Sequence, residues 1–270
     1  MRLKFELLFF VCCLSYTLLP AQSIQYWGQN AANIGMARTG AAEIGLNALY
    51  TNIAGLSELK NTEVIVSGEQ RFELSELQIL TAGGAIPTNA GTFGIKVSYF
   101  GFEAYNEQSI TASYARKLMD KLSIGAEIIV LQTRIPEFET NTAATFALGV
   151  HSKLSKDLYL GIHLYSPMRV EIAEEEFLPS IYRAGLTYIA SKKLRINAEL
   201  EKTIDFPFRF RGGFDYQFIK ELHVRLGYSS EPASFHFGFG YSFLGIQLDA
   251  AASYHQVLGF SPVMSLAYQF

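Results

Sequence analysis

Arg183, Arg195, Arg209, Arg211 and Arg225 recur close along the chain with Glu199, Glu201 and Asp215. Each sits in an extended stretch where polar and apolar residues alternate, so the eight share one face across four neighbouring strands. Such a row supports two kinds of chemistry. It can form the charged wall of a channel or ligand path, since rings of charge set pore selectivity. It can also form ion pairs that hold an interior together, because charges in such a place tend to be paired. Pairing is the simpler expectation.

No other group of residues points to catalysis. The chain has no G-x-S-x-G, no H-E-x-x-H and no glycine-rich phosphate loop. His151, His163, His223 and His236 lie on separate extended stretches and read as polar interior positions, not as metal ligands. His255 falls near a turn with no partner acid identifiable from spacing. The reading is a non-enzyme that uses no metal and no cofactor.

The elements that carry these residues are strands. Phe93, Ile95, Val97 and Tyr99 alternate with Thr92, Gly94, Lys96 and Ser98. Phe235, Phe237, Phe239, Tyr241 and Phe243 alternate with His236, Gly238, Gly240 and Ser242. The apolar face is often aromatic, as in a membrane barrel girdle, and the polar face is small and glycine-rich, as if it lined a filled lumen. About fourteen such segments follow residue 61, with twelve as the rival count, at a length suited to tilted strands crossing a bilayer. The fold class expected is all-β: a transmembrane antiparallel barrel in contact with outer-membrane lipid. Closure leaves no sheet edge unpaired in lipid.

The turns form two classes. Short lysine-bearing ones precede Leu122, Leu158 and Leu194 at equal spacing, and longer acidic ones include Glu137, Glu139 and Glu171 to Glu176. Short turns belong on the periplasmic side and longer ones on the exterior. The chain ends on an aromatic strand with Tyr268 and Phe270, similar to the signal read by the barrel-assembly machinery.

Composition agrees. Of 270 residues 49% are hydrophobic and 17% charged, and the net charge of -3 excludes a basic nucleic-acid-binding surface. Residues 1–21 read as a signal peptide: Arg2 and Lys4, an apolar run, then Pro20-Ala21, with cleavage after Ser23 as the alternative. Cys12 and Cys13 both lie inside it, leaving residues 61–270, the expected barrel, without a thiol.

Between these parts, residues 22–60 lack strand alternation. Gly35-Met36-Ala37-Arg38-Thr39-Gly40-Ala41 is followed by Tyr50-Thr51-Asn52-Ile53-Ala54-Gly55-Leu56. This pattern resembles the N-terminal signature of a family that includes the FadL-like long-chain fatty-acid transporters and the PorV/PorQ-type outer-membrane barrels of Bacteroidetes. That signature has a G-M-G-x-A-type run and then N-P-A-G-L. Asn52, Ala54 and Gly55 match, and Ile53 replaces the proline. The resemblance implies an N-terminal plug inside the lumen, with Gly35, Met36, Arg38, Gly40, Asn52, Ile53, Ala54 and Gly55 as its plug or gate residues. It also implies one of two roles. The first is binding or passage of small hydrophobic or amphipathic molecules through the outer membrane. The second is an accessory role beside type IX secretion components.

Overall fold

A computed structural model describes residues 29–136, 139–173, 176–204 and 206–270. The expected signal peptide, with Cys12 and Cys13, lies outside the described residues, as do residues 22–28 of the N-terminal segment and the acids Glu137, Glu174, Glu175 and Asp205.

The chain forms one closed antiparallel barrel of fourteen strands. They are β1 (Glu63–Gln70), β2 (Gln78–Thr88), β3 (Gly91–Phe102), β4 (Tyr105–Met119), β5 (Leu122–Ile135), β6 (Glu139–Lys153) and β7 (Leu158–Tyr165). The second half comprises β8 (Ile181–Ile189), β9 (Leu194–Thr203), β10 (Phe208–Gln217), β11 (Leu222–Ser230), β12 (Ala233–Phe243), β13 (Ile246–His255) and β14 (Gly259–Gln269). Each strand pairs with its sequence neighbours, and β1 closes the ring on β14, from Glu63 opposite Gln269 to Glu69 opposite Val263.

Alternation decides which side each residue faces. Phe93, Ile95, Phe235, Phe239, Met264 and Leu266 point outward and are exposed, while Ser67, Thr81, Thr111, Glu127, Asn197 and Ser265 point inward and are buried. This is the reverse of a water-soluble fold. An apolar exterior on every side is stable only against hydrocarbon, which also requires the closed ladder.

The two barrel ends differ. Turns such as Leu244-Gly245 are short; both residues have positive φ, 48° and 81°, the mirror-image turn that suits a two-residue hairpin. At the other end lies the longest connection, between β7 and β8. β7 stops at Tyr165, earlier than alternation suggests, because Ser166 turns back with φ 44° and precedes Pro167. That connection carries a small hairpin, Glu171–Ala173 with Glu176–Phe177, and buries Leu178 against Ile129, Leu131 and Ile181. The chain ends meet at the short-turn end, where Phe270 N–H donates to the Thr62 carbonyl at 3.0 Å. Tyr268 and Phe270 are both exposed there, with ring centroids 4.8 Å apart.

Inside the ring pack residues 29–60 of the N-terminal segment. It consists of a helix α1 (Ala31–Gly35) and two 3-10 turns (Leu46–Tyr50 and Ile53–Glu58). Leu46, Leu49, Tyr50, Ile53, Leu56 and Leu59 pack together against Ile65, Ala85 and Ala115 of the wall. Ala31 and Ile34 pack against Ala251 and Val263.

Candidate functional site

The wall is hollowed to receive this segment. A Cβ at Gly161 would overlap the Ala41 carbonyl, one at Gly149 would overlap the Asn52 side chain, and one at Gly125 would overlap Ile53. On the opposite wall, Gly213 and Gly227 make the same room for Met36 and Ala37. Several of these glycines face each other across strands: Gly125 with Gly149, Gly161 with Gly185, and Gly213 with Gly227. A belt without Cβ atoms lets backbone lie on backbone.

The motif residues fold the segment on itself. Asn52, fully buried, caps the second 3-10 turn: its Oδ1 accepts from Ala54 N–H at 3.2 Å. Its Nδ2 faces three carbonyls, Ala41 at 2.5 Å, Val150 at 2.9 Å and Ile162 at 3.2 Å, so it joins the segment to β6 and β7. Asn52 is extended, φ -115° and ψ 103°, the conformation that proline imposes on the residue before it. Ile53 then opens the turn where a proline would be tolerated. The capping side chain therefore holds the geometry without proline. Gly40 and Gly55 are constrained within the segment: a Cβ on Gly40 would strike Thr51, and one on Gly55 would overlap the Glu43 carbonyl. Gly35 lies against Arg225 Cβ and Gly238 of the wall.

Helix α1 ends in a tight turn. Met36 N–H and Arg38 N–H both donate to the Asn33 carbonyl, at 3.1 and 2.8 Å. Ala37 and Arg38 both take positive φ, 57° and 60°. Ala37 stands where the signature run has its second glycine, so it holds a left-handed conformation that costs a Cβ-bearing residue energy.

Among the described residues, the charges selected from sequence fall into two clusters, and Arg38 meets Glu69 apart from them. Glu201 accepts from Arg183 and Arg209 at 2.8 Å and from Arg211 at 3.0 Å. Beside it, Glu199 Oε2 accepts the backbone N–H groups of Gly40 and Ala41 at 2.8 and 2.7 Å. The second cluster centres on Asp215, which meets Arg195 and Arg225 at 3.1 Å and His223 at 2.7 Å. Arg225 continues to Asp249 at 2.5 Å, and Arg195 reaches Glu43 of the segment at 2.6 Å. Arg38 meets Glu69 at 2.5 Å, and Arg71 approaches the same carboxylate at 3.4 Å. Arg38 and Glu43, the two charges between Gln29 and Ser57, are thus each paired with the wall.

The eight charges selected from sequence all face inward and all take part in these contacts. Glu43, Glu69, Asp249 and His223 complete them and were not singled out as site residues. The inward positions of Glu69, Asp249 and His223 were legible from alternation, whereas Glu43 lies in the segment that lacks it; Glu69, on β1, comes near the other clusters only by ring closure. Across the lumen, Lys96 donates to the Leu49 carbonyl at 3.1 Å and lies 5.4 Å from the centre of the Tyr50 ring. Burial raises the Tyr50 hydroxyl to about 12, and it hydrogen-bonds Thr81 at 3.1 Å. His255 Nδ1 accepts from Val257 and Leu258 N–H at 3.2 Å.

Fold and interior together define a class: a closed fourteen-strand barrel of the membrane-spanning type whose lumen holds its own N-terminal segment. Solved structures that share this fold include transporters, and the chain has a FadL-like fold. The Ralstonia pickettii toluene transporter TbuX superposes with a TM-score of 0.75 at 11% identity, covering 92% of this chain and 100% of that one. A Pseudomonas aeruginosa FadL homologue gives a TM-score of 0.68 at 14% identity, covering 90% and 98%. The P. putida toluene transporter TodX gives a TM-score of 0.67 at 12% identity, covering 92% and 99%. No protein-family model matches the chain, and no curated protein matches it in sequence.

Proposed function

We propose that this chain is an outer-membrane channel of FadL-like type that binds or passes small hydrophobic or amphipathic molecules, with residues 22–60 acting as a plug. The observation that carries the reading is the double seat of the segment: a glycine belt accepts its backbone, and two ion pairs hold its charges. The fold it shares with toluene transporters supports the class of cargo. The β1–β2 ladder is continuous from Glu63 opposite Ala85 to Gln70 opposite Gln78, and the β2–β3 ladder from Ile79 opposite Phe100 to Thr88 opposite Gly91. Passage therefore requires the segment to move within the lumen, not a gap between those strands.

Deleting residues 24–60 tests this in planar bilayers. Conductance should rise well above that of the full chain, and an unchanged closed state would sink the plug. Export depends on the expected leader at residues 1–21, so the variant is best refolded into lipid directly.

A second reading is an accessory barrel contacting type IX secretion components. The acids expected in the external connection from Glu171 to Glu176 favour it; the described part of that connection is the hairpin of Glu171–Ala173 with Glu176–Phe177. Affinity capture from detergent extracts that returns the chain alone would count against it.

A further inference from the structure

The lipid-facing wall is not uniform along its long-turn edge. From β10 to β14 that edge is aromatic: Phe210, Tyr228, Phe235, Tyr254 and Phe260 are all exposed, with the Tyr254 and Phe260 centroids 4.9 Å apart. Across β4, β5 and β6 the girdle gives way to Gln108, Gln132 and Thr142, which the strand register places in one row on the outer face. Below that row lies a groove of about 540 Å³, its apolar lining formed by the exposed side chains of Leu80, Val97, Ile110 and Val130. That volume falls in the range of small-molecule sites. Gln108 Nε2 donates to Asn106 Oδ1 at 3.1 Å, and Gln132 Nε2 donates to Thr142 Oγ1 at 3.4 Å. The carbonyl oxygens of both glutamine side chains keep no partner among the described residues. Two residues beyond Gln132 on the same face of β5, about 7 Å further toward the exterior, stands Arg134. It is exposed and has no ion pair or hydrogen bond among the described residues. Of the acids on this rim, Glu107 is buried and accepts from the Tyr105 hydroxyl at 2.8 Å, and Glu103 lies in the turn between β3 and β4.

We infer that this groove binds a phosphorylated lipid of the outer leaflet, with one acyl chain along the apolar lining and the phosphate on Arg134. An uncommitted guanidinium matches a phosphate by paired N–H donors. The long-turn edge is the exterior side, and its aromatic residues mark the headgroup level at which Arg134 stands. The two glutamine carbonyls accept from hydroxyl or amide N–H groups near the lipid head, where hydrocarbon alone would leave them unpaired. A free phosphate gains nothing from the apolar groove below Arg134. A second copy of the chain would present another convex wall, which fits a recess less well than a flexible acyl chain does. The site goes beyond the proposed passage of molecules, because binding on the outer wall leaves the segment in its seat.

Native mass spectrometry of the full chain in detergent tests it with dioleoyl phosphatidic acid, dioleoylglycerol and glycerol phosphate. Phosphatidic acid should stay bound, dioleoylglycerol should bind far more weakly, and glycerol phosphate should neither bind nor displace the lipid. Arg134→Gln should weaken phosphatidic acid by about ten-fold or more, the loss of a charged hydrogen bond. Val130→Trp, which fills the groove with a ring that a lipid-facing wall tolerates, should also weaken it. Arg116→Gln, on the same face of β4 at the short-turn end, is the control and should leave binding unchanged. Gel mobility of unheated protein verifies that each variant is folded. Equal binding of phosphatidic acid and dioleoylglycerol, displacement by glycerol phosphate, or a dimer in place of the lipid adduct would overturn the inference. So would full affinity in folded Arg134→Gln or Val130→Trp, or an equal loss in Arg116→Gln. None of these results bears on the plug, which the deletion experiment tests alone.

Discussion

Arg38 Nη2 stands 2.5 Å from Glu69 Oε1, the two side chains 8% and 2% exposed, and joins the N-terminal segment to the first strand of the barrel. Arg71 approaches the same oxygen at 3.4 Å. Burying both charges is costly in itself, so the pair's main consequence appears when one partner is removed.

Arg38→Met should therefore destabilise the folded chain by less than the roughly 3–5 kcal/mol that a buried charge left wholly unpaired costs, because Arg71 stays 3.4 Å from Glu69. Arg38→Met combined with Glu69→Leu should recover most of that loss. Denaturant titration of the lipid-folded protein measures both, and a double variant no better than the single would refute the latch.

Glu199 holds the segment differently, through the backbone N–H groups of Gly40 and Ala41. Glu199→Gln removes the charge and leaves one acceptor oxygen in place of two. A charged hydrogen bond contributes roughly 1.5–3 kcal/mol, so exchange of these two amides should speed by about 10- to 100-fold. Exchange read by mass spectrometry, compared with amides on β4, decides it.

Gly161→Ala places a methyl group where the Ala41 carbonyl lies, with backbone on both sides. The segment should shift or leave, and conductance should rise. Gly212→Ala is the control, because its nearest neighbours stand 3.8 Å away. Equal conductance for the two variants would mean the glycine belt does not seat the segment.

Ala37→Gly should stabilise the chain by about 1 kcal/mol, because the left-handed conformation at φ 57° costs an alanine roughly 1–2 kcal/mol and a glycine little, offset in part by backbone entropy. The midpoint of heat denaturation, followed by gel mobility, should rise. A fall would place the Ala37 methyl, packed by Gly227, above the backbone term.

Much of this molecule was legible in the chain. Phe93 to Tyr99 and Phe235 to Phe243 show which residues face lipid, because a strand shows its two faces every second residue. The inward glycines also pointed to a filled interior. The details of the segment were less legible. Asn52 could be matched to a signature, but not its reach to the carbonyls of Val150 and Ile162. The early end of β7 at Tyr165 and the small hairpin after it were hidden, since Met168, Val170 and Ile172 continue the apolar rhythm of Leu158 to Leu164 past Ser166 and Pro167.

The sequence by itself determined the strands, their faces and the class of barrel, because those follow from near-neighbour periodicity and from the solvent each face meets. Only the tertiary structure decided that Arg38 meets Glu69, Glu43 meets Arg195, and Glu199 takes the amides of Gly40 and Ala41. These partners lie 31, 152 and 159 or 158 residues apart. Their meeting depends on strand register and on closing β1 against β14, which are set by the whole ring at once and by no single stretch of it.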